Sequence, residues 1–335
     1  MRYLVTGGAG FIGSHLTELL VAHGHDVTIL DDLSTGRRDN VWHLLADRVT
    51  LVEGTVTDAP LVDELMEDAD ACVHLASAVG VQLIVERPLE ALLANVRGID
   101  IVMGAAARHG RRLLYSSTSE VYGKNTTGPL SEDNDLLLGS PFKARWSYAI
   151  AKSFGEALAH GYHRDLGADV VTVRLFNTVG PRQSSLYGMV LPRLVRQALA
   201  GDDLTVYGDG SQTRCFVHVR DTVEAIALLC DDPRAVGNVY NIGNTKPISI
   251  MDLAIRVIER TDSTSRICLV PYDAAYPTGF EELGRRQPDT TRLRELTGWH
   301  PLRTLDEAID DLVCHERIVE PDTVAALATA TADAA

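Results

Sequence analysis

The chain has 335 residues, 45% of them hydrophobic and 23% charged, a balance that suits a folded protein with one large core or two unequal lobes. Its net charge of −15 and pI near 5.1 argue against nucleic acid as a partner, because phosphate-backbone binding needs a dense positive surface, but a few arginines in a pocket can still hold a small anion. Five scattered cysteines, Cys72, Cys215, Cys230, Cys268 and Cys314, include no CxxC pair, so neither a disulfide framework nor a metal site is expected and a reducing cytoplasm fits.

The first apolar run, Tyr3–Thr6, is too short for a signal peptide and reads as a strand, and no stretch approaches a membrane span. Strand-like runs follow at Val27–Leu30, Val49–Val52, Ala71–Leu75, Leu113–Ser116 and Val170–Leu175. They alternate with helical patterns at Phe11–His23, Leu61–Glu67, Leu89–His109 and Trp146–Arg164. Strand and helix in turn predict an α/β fold built on a Rossmann-type, doubly wound parallel sheet. After Asn177 the pattern loosens into turn-rich segments, which predicts a smaller, discontinuous α/β lobe. The expected division is a Rossmann domain over 1–176, rejoined by about 215–242 through the helix-like Val219–Cys230, and a substrate lobe from 177–214 and 243–316. The Ala/Thr-rich stretch 320–335 reads as a frayed or flexible tail.

Gly7-Gly8-Ala9-Gly10-Phe11-Ile12-Gly13 joins the first strand to the first helix, the context in which a GxxGxxG spacing binds a dinucleotide. Gly7 permits the tight turn, Gly10 lets backbone approach a pyrophosphate, and Gly13 allows close helix packing beside a positive helix end. Asp31 ends the second strand, eighteen residues past Gly13, where a carboxylate can accept ribose hydroxyls and repel a 2′-phosphate; NAD is therefore favoured over NADP. Asp58 falls either at the adenine amino group or on the bare surface.

Tyr148 and Lys152 stand four apart on a predicted helix and share a face. A phenol with its ordinary pKa of about 10 is a weak base at neutral pH, and positive charge from Lys152 and an oxidised nicotinamide would lower it. Tyr148 then becomes a general base toward a sugar hydroxyl, which Thr118, in Ser116-Ser117-Thr118-Ser119-Glu120-Val121-Tyr122-Gly123, can hold.

These segments, with LDDLSTG, HLAS, RLFNTVGP, TVYGDGSQTR and NIGN, resemble the extended short-chain dehydrogenase/reductases that act on nucleotide sugars, over nearly the whole chain. The resemblance implies bound, recycled NAD held by Gly7, Gly10, Phe11, Ile12, Gly13, Asp31, Asp32, Asp58, Leu75, Ala76, Tyr148 and Lys152. It also implies a catalytic set of Thr118, Tyr148 and Lys152, a nucleoside diphosphate near Asn177, Arg182 and Arg214, and a homodimer through Leu89–His109 and Trp146–Arg164. Ser119 stands where 4,6-dehydratases of this family have an aspartate, which removes their general acid. The S-T-S-E-V-Y-G form, Arg145-Trp146-Ser147-Tyr148, and Tyr276-Pro277-Thr278-Gly279-Phe280 followed by Arg285-Arg286-Gln287-Pro288-Asp289 resemble UDP-glucuronate decarboxylases and UDP-apiose/UDP-xylose synthases. Pro277 and Gln287 depart from that pattern, where glycine and lysine are usual.

That branch implies oxidation of UDP-glucuronate at C4 and loss of CO₂ from the resulting β-keto acid. Re-reduction then gives UDP-xylose, or release gives a UDP-4-keto-pentose. Ser119 would help position the hydroxyl, Glu120 or an ordered water would protonate C5, and Arg286 would face the carboxylate or the diphosphate. Repulsion by the substrate carboxylate is expected to raise the Glu120 pKa. A 4-epimerase acting on UDP-glucuronate or UDP-glucose uses the same apparatus and stays open, as do a dehydratase and an NAD-binding protein without turnover.

Overall fold

The computed structural model describes the chain apart from residues 46–47, 79–87, 126–127, 185–188, 276–284 and 333–335. Seven parallel strands form the main sheet, in the order β11-β6-β5-β4-β1-β2-β3. They are β1 (Arg2–Thr6), β2 (Asp26–Asp31), β3 (Val49–Glu53), β4 (Ala71–His74), β5 (Arg112–Thr118), β6 (Val170–Leu175) and β11 (Val239–Ile242). Successive residues are buried on opposite faces, which is why these strands read as unbroken apolar runs. Val5, Ile29, Val73, Leu114 and Val171 belong to one core, and their neighbours Leu4, Leu30, Cys72, Leu113 and Val170 to the other.

Helix α1 (Phe11–Ala22) covers the first face, while α2 (Ala59–Asp68), α3 (Pro88–His109) and α4 (Ser147–Leu166) cover the second. These bounds lie within two residues of the sequence expectation. After β6 come β7 (Thr178–Val179), α5 (Val190–Ala200), β8 (Leu204–Tyr207), β9 (Thr213–Cys215) and β10 (Val217–His218). Helix α6 (Val219–Asp231) returns to pack beside α1 and leads into β11 at the sheet edge. The second lobe adds β12 (Pro247–Ser249), α7 (Ile250–Thr261), β13 (Ile267–Val270), α8 (Tyr272–Ala275), β14 (Arg285–Arg286), α9 (Thr291–Thr297) and α10 (Leu305–Ala332).

Its core gathers Leu191, Leu194, Leu253, Val257, Ile309 and Leu312 from α5, α7 and α10. Two short sheets, β12-β9-β14 and β13-β8, flank it. Leu293 and Trp299, which the sequence division assigns to the substrate lobe, pack instead into the core of the large sheet, with the Trp299 indole donating to the Asp221 carbonyl at 3.0 Å. Helix α10 runs through Ala332, so the boundary drawn at 320 falls inside a helix. Among the described residues no helix is long and apolar enough to cross a membrane.

Candidate active site

A cavity of about 770 Å³ lies across the carboxyl ends of the sheet strands and extends under the second lobe. Gly7, Gly10, Phe11, Ile12 and Gly13 line one end, joined by Asp31, Asp32, Leu75 and Ala76. Gly7 has φ +72°, and a Cβ on Gly13 would collide with the Gly7 carbonyl oxygen, so only glycine lets the loop fold this tightly onto α1. No side chain caps the first turn of α1, whose amides face the same cavity end, a surface that suits a pyrophosphate. Asp31 accepts from the Ala9 amide (Oδ2, 2.9 Å) and the Leu33 amide (Oδ1, 2.9 Å). Burial pushes its carboxyl up while those amides oppose the rise, and the net direction is upward. The residues present thus fit NAD. Asp32 accepts the Ser34 amide and hydroxyl at 2.9 and 2.6 Å. Asp58 follows Thr55, Val56 and Thr57, which line that wall, and caps α2 by accepting the Leu61 amide at 3.2 Å; it is not itself part of the cavity lining.

Thr118 ends β5 and its hydroxyl accepts the Glu120 amide at 3.2 Å, which starts the tight turn carrying buried Ser119. Tyr148 and Lys152 face this turn from α4, whose close approach to β5 depends on Gly155, because a Cβ there would strike the Tyr115 hydroxyl. The Lys152 ammonium donates to the Ser116 carbonyl at 2.8 Å and lies 5.9 Å from the centre of the Tyr148 ring. Burial pushes the lysine down to about 7, opposed by Glu156. The Tyr148 phenol goes the other way from the sequence expectation: burial raises it, Glu120 raises it further, and hydrogen bonds to Ser77 and Thr118 offset only part. In the protein alone the phenol therefore keeps its proton.

Glu120 sits between two cations from different parts of the chain. Arg286 of β14 pairs with its Oε1, and the Arg145 guanidinium, one turn ahead of α4, stands 3.2 Å from its Oε2. All three side chains line the cavity and are largely buried. Burial raises the Glu120 pKa, but Arg286, Arg145 and Arg214 outweigh it and hold the carboxyl low. In the protein without substrate Glu120 is therefore an ionised carboxylate. Arg145 belongs to this cluster although sequence reasoning used it only as part of a motif; a carboxylate flanked by arginines distant in sequence leaves no spacing to detect.

Asn177, Arg214 and Arg286 line the cavity under the second lobe. The Arg214 Nη1 donates to the Thr213 carbonyl at 2.8 Å. Arg182 does not join them. Its backbone adopts φ +67°, and its guanidinium pairs with Glu18 of α1 at 2.5 Å, outside the cavity lining. Sequence reasoning missed Arg193, Gln212 and Tyr272 in this wall, and Tyr207, over which the Arg193 guanidinium stacks at 4.3 Å. For Tyr207 and Gln212 the signal was there in TVYGDGSQTR, but it marks a turn without saying which side chains face inward; Arg193 and Tyr272 lie outside any motif. The stretch Tyr276 to Phe280 lies outside the described residues. Among the described residues no three His, Cys, Asp or Glu side chains gather to hold a metal ion.

The chain matches the NAD dependent epimerase/dehydratase family over residues 3–243. It is 41% identical to a UDP-N-acetyl-α-D-glucosaminuronate decarboxylase of Bacillus cytotoxicus, covering 96% of this chain and 99% of that one. It is 35% identical to UDP-glucuronic acid decarboxylase 1 of Danio rerio, covering 93% of this chain and 72% of that one. Among solved structures it resembles the UDP-glucose 4-epimerase of Thermotoga maritima with UDP-glucose (TM-score 0.85, 27% identity, 95% of this chain and 99% of that one). It also resembles the NAD-bound dTDP-glucose 4,6-dehydratase of Streptomyces venezuelae (TM-score 0.86, 29% identity, 96% and 98%).

Proposed function

Since the chain belongs to the NAD-dependent epimerase/dehydratase family and is an NAD-dependent nucleotide-sugar-modifying enzyme, we propose that it decarboxylates a UDP-hexuronate, UDP-glucuronate or its 2-acetamido analogue. The observation that carries this reading is the Glu120 carboxylate bridged by Arg145 and Arg286 beside Thr118 and Tyr148. Two buried guanidinium groups against the single Glu120 carboxylate leave one net positive charge at the reacting end, which suits a C5-carboxylate better than a neutral sugar. Decarboxylases at 35–41% identity support it from the side of sequence. The two candidate sugars share the C4 hydroxyl and the C5-carboxylate and differ only at C2.

Bound NAD supplies the hydride acceptor at C4 and, when oxidised, a positive ring that favours phenolate. Tyr148 takes the C4 hydroxyl proton, and Thr118 and Ser119 hold the oxygen as it becomes a ketone. Arg286 orients the carboxylate, so that CO₂ departs from a β-keto acid whose electrons pass into an enolate. Glu120, ionised in the free protein, acts at C5 by relaying a proton from water. Asn177 and Arg214 bind the diphosphate.

We further propose a homodimer through α3 and α4, supported by the exposed apolar side chains Leu89, Leu93 and Phe154 on this pair of packed helices. A cytoplasmic location is supported by three free thiols, Cys72, Cys215 and Cys230, buried in the fold. Mass spectrometry of products from UDP-glucuronate, UDP-N-acetylglucosaminuronate and UDP-glucose, with CO₂ measured in parallel, tests the central reading. CO₂ and a UDP-pentose or UDP-4-keto-pentose are expected from one or both uronates. A C4 epimer without CO₂ would replace the reading with a 4-epimerase.

A further inference from the structure

Glu156 is a buried carboxylate that the chemistry above leaves without a task. It lies one helical turn after Lys152 on α4, on the same face. Its Oε1 accepts from the Ser117 hydroxyl at 2.5 Å and the Arg174 Nε at 2.9 Å, and its Oε2 accepts from the Arg174 Nη2 at 2.7 Å. The side chains of Arg174 and Glu156 are only 7% and 10% exposed. Ser117 belongs to β5 and Arg174 to β6, so one carboxylate ties the catalytic helix to both strands beneath it.

The surroundings of Lys152 make that carboxylate matter. His74 on β4 is buried and pushed down to about 3 by burial and by Lys152, so it is neutral. Tyr115 on β5 lies with its ring centre 5.2 Å from the ammonium, and burial raises the phenols of both Tyr115 and Tyr148, so they too are neutral. Arg174 on β6 is a cation already engaged by Glu156. The anion that acts on Lys152 is Glu156, against the burial that favours a neutral amine.

We propose that Glu156, clamped by Ser117 and Arg174, is a positioning residue for Lys152 that keeps its amine cationic when Tyr148 gives up its proton. This rests on the roles given above to Tyr148 and Lys152. With burial holding Lys152 near 7, the group is balanced between charged and neutral forms at neutral pH. Loss of the Glu156 charge removes the influence that raises it, so the amine becomes neutral at lower pH.

The test measures Lys152 directly. The purified full chain is acetylated with acetic anhydride across a pH series, and the Lys152 peptide is quantified by mass spectrometry with Lys124, Lys143 and Lys246 as internal references. Only the neutral amine reacts. In Glu156→Gln the Lys152 midpoint is expected to fall by about one pH unit, about tenfold faster labelling below the wild-type midpoint. The high-pH limb of kcat shifts the same way, with KM for UDP-glucuronate unchanged. The double variant Glu156→Gln, Arg174→Gln leaves no buried unpaired guanidinium, so it guards against misfolding, and it should shift in the same direction but by less, because the Arg174 cation is removed with the anion. Glu156→Asp, which keeps the charge, should largely restore the wild-type midpoint.

An unmoved Lys152 midpoint in a folded variant, or a kcat loss equal at every pH, would overturn the proposal. Labelling needs no turnover, so absence of CO₂ from the wild type would sink the decarboxylase reading and leave this result standing.

Discussion

Arg145 and Glu120 form a guanidinium–carboxylate pair at 3.2 Å that joins the turn after β5 to the start of helix α4, with side chains 8% and 19% exposed. Because Arg286 engages the other carboxylate oxygen, Glu120 is held by charges from two separate segments. Glu120→Gln removes the charge while keeping the shape. Turnover of the uronate is expected to fall about 100-fold or more, the range for loss of a proton-transfer group, with NAD content unchanged. Steady-state CO₂ release and nucleotide extracted from the purified variant read the two effects separately. Unchanged turnover would remove Glu120 from the chemistry.

The same pair fixes a pH dependence. Glu120 lies below the ordinary glutamate value because the arginines outweigh burial, so it stays ionised to lower pH than an ordinary glutamate. In Arg145→Gln one of the lowering charges is gone and burial is less opposed. The Glu120 value rises, and the acid limb of kcat should move to higher pH. Profiles of wild type and variant over the acidic range check this; coincident limbs would mean that Glu120 protonation does not limit the rate.

Tyr148→Phe removes the phenol while the ring keeps its packing beside Lys152. Hydride transfer from C4 requires the hydroxyl proton to leave, so nicotinamide reduction on adding substrate should disappear while UDP-sugar binding remains. Absorbance of reduced nicotinamide in rapid mixing provides the measurement. Continued reduction at the wild-type rate would mean that another base serves C4.

What the sequence disclosed divides along physical lines. Strands buried on both faces leave unbroken apolar runs, and helices between them leave a 3.6-residue pattern, so six of the seven strands of the large sheet were legible to within two residues, while the edge strand β11 reads as part of a turn-rich segment. Strands β7, β10 and β14, by contrast, are two residues long, shorter than any periodicity. The catalytic helix was legible because Tyr148 and Lys152 lie one turn apart. Arg145 and Glu156 were not, because what distinguishes them is a partner on another element: Glu120 for one, Arg174 for the other. Arg182 misled for the converse reason, since its left-handed backbone sends a motif arginine to Glu18.

That divergence separates two arginines that look alike in sequence. Arg214 lines the cavity beside Arg286, and Arg214→Ala is expected to raise KM for the UDP-sugar about tenfold, the loss of one charge-assisted contact. Arg182→Ala should leave KM alone and cost about 1 kcal/mol or less, as its pair with Glu18 is partly exposed. Kinetics and thermal denaturation of both variants check the contrast, and a KM rise in Arg182→Ala would restore it to the substrate site.

Gly13 carries the sharpest steric demand at the cofactor end. A Cβ there would meet the Gly7 carbonyl oxygen and the Gly8 Cα, both backbone atoms that have no rotamer to relieve the clash. Gly7 cannot swing away cheaply, because its amide donates to the Leu30 carbonyl at 2.8 Å and its φ of +72° is set by the turn. Gly13→Ala must therefore push α1 off the loop, at a cost of about 1–3 kcal/mol for overpacking, and it displaces the uncapped amides that suit a pyrophosphate. The variant should purify with little NAD and a lowered Tm that added NAD restores only partly. Full NAD content with a wild-type Tm would show that the loop has room the structure denies it.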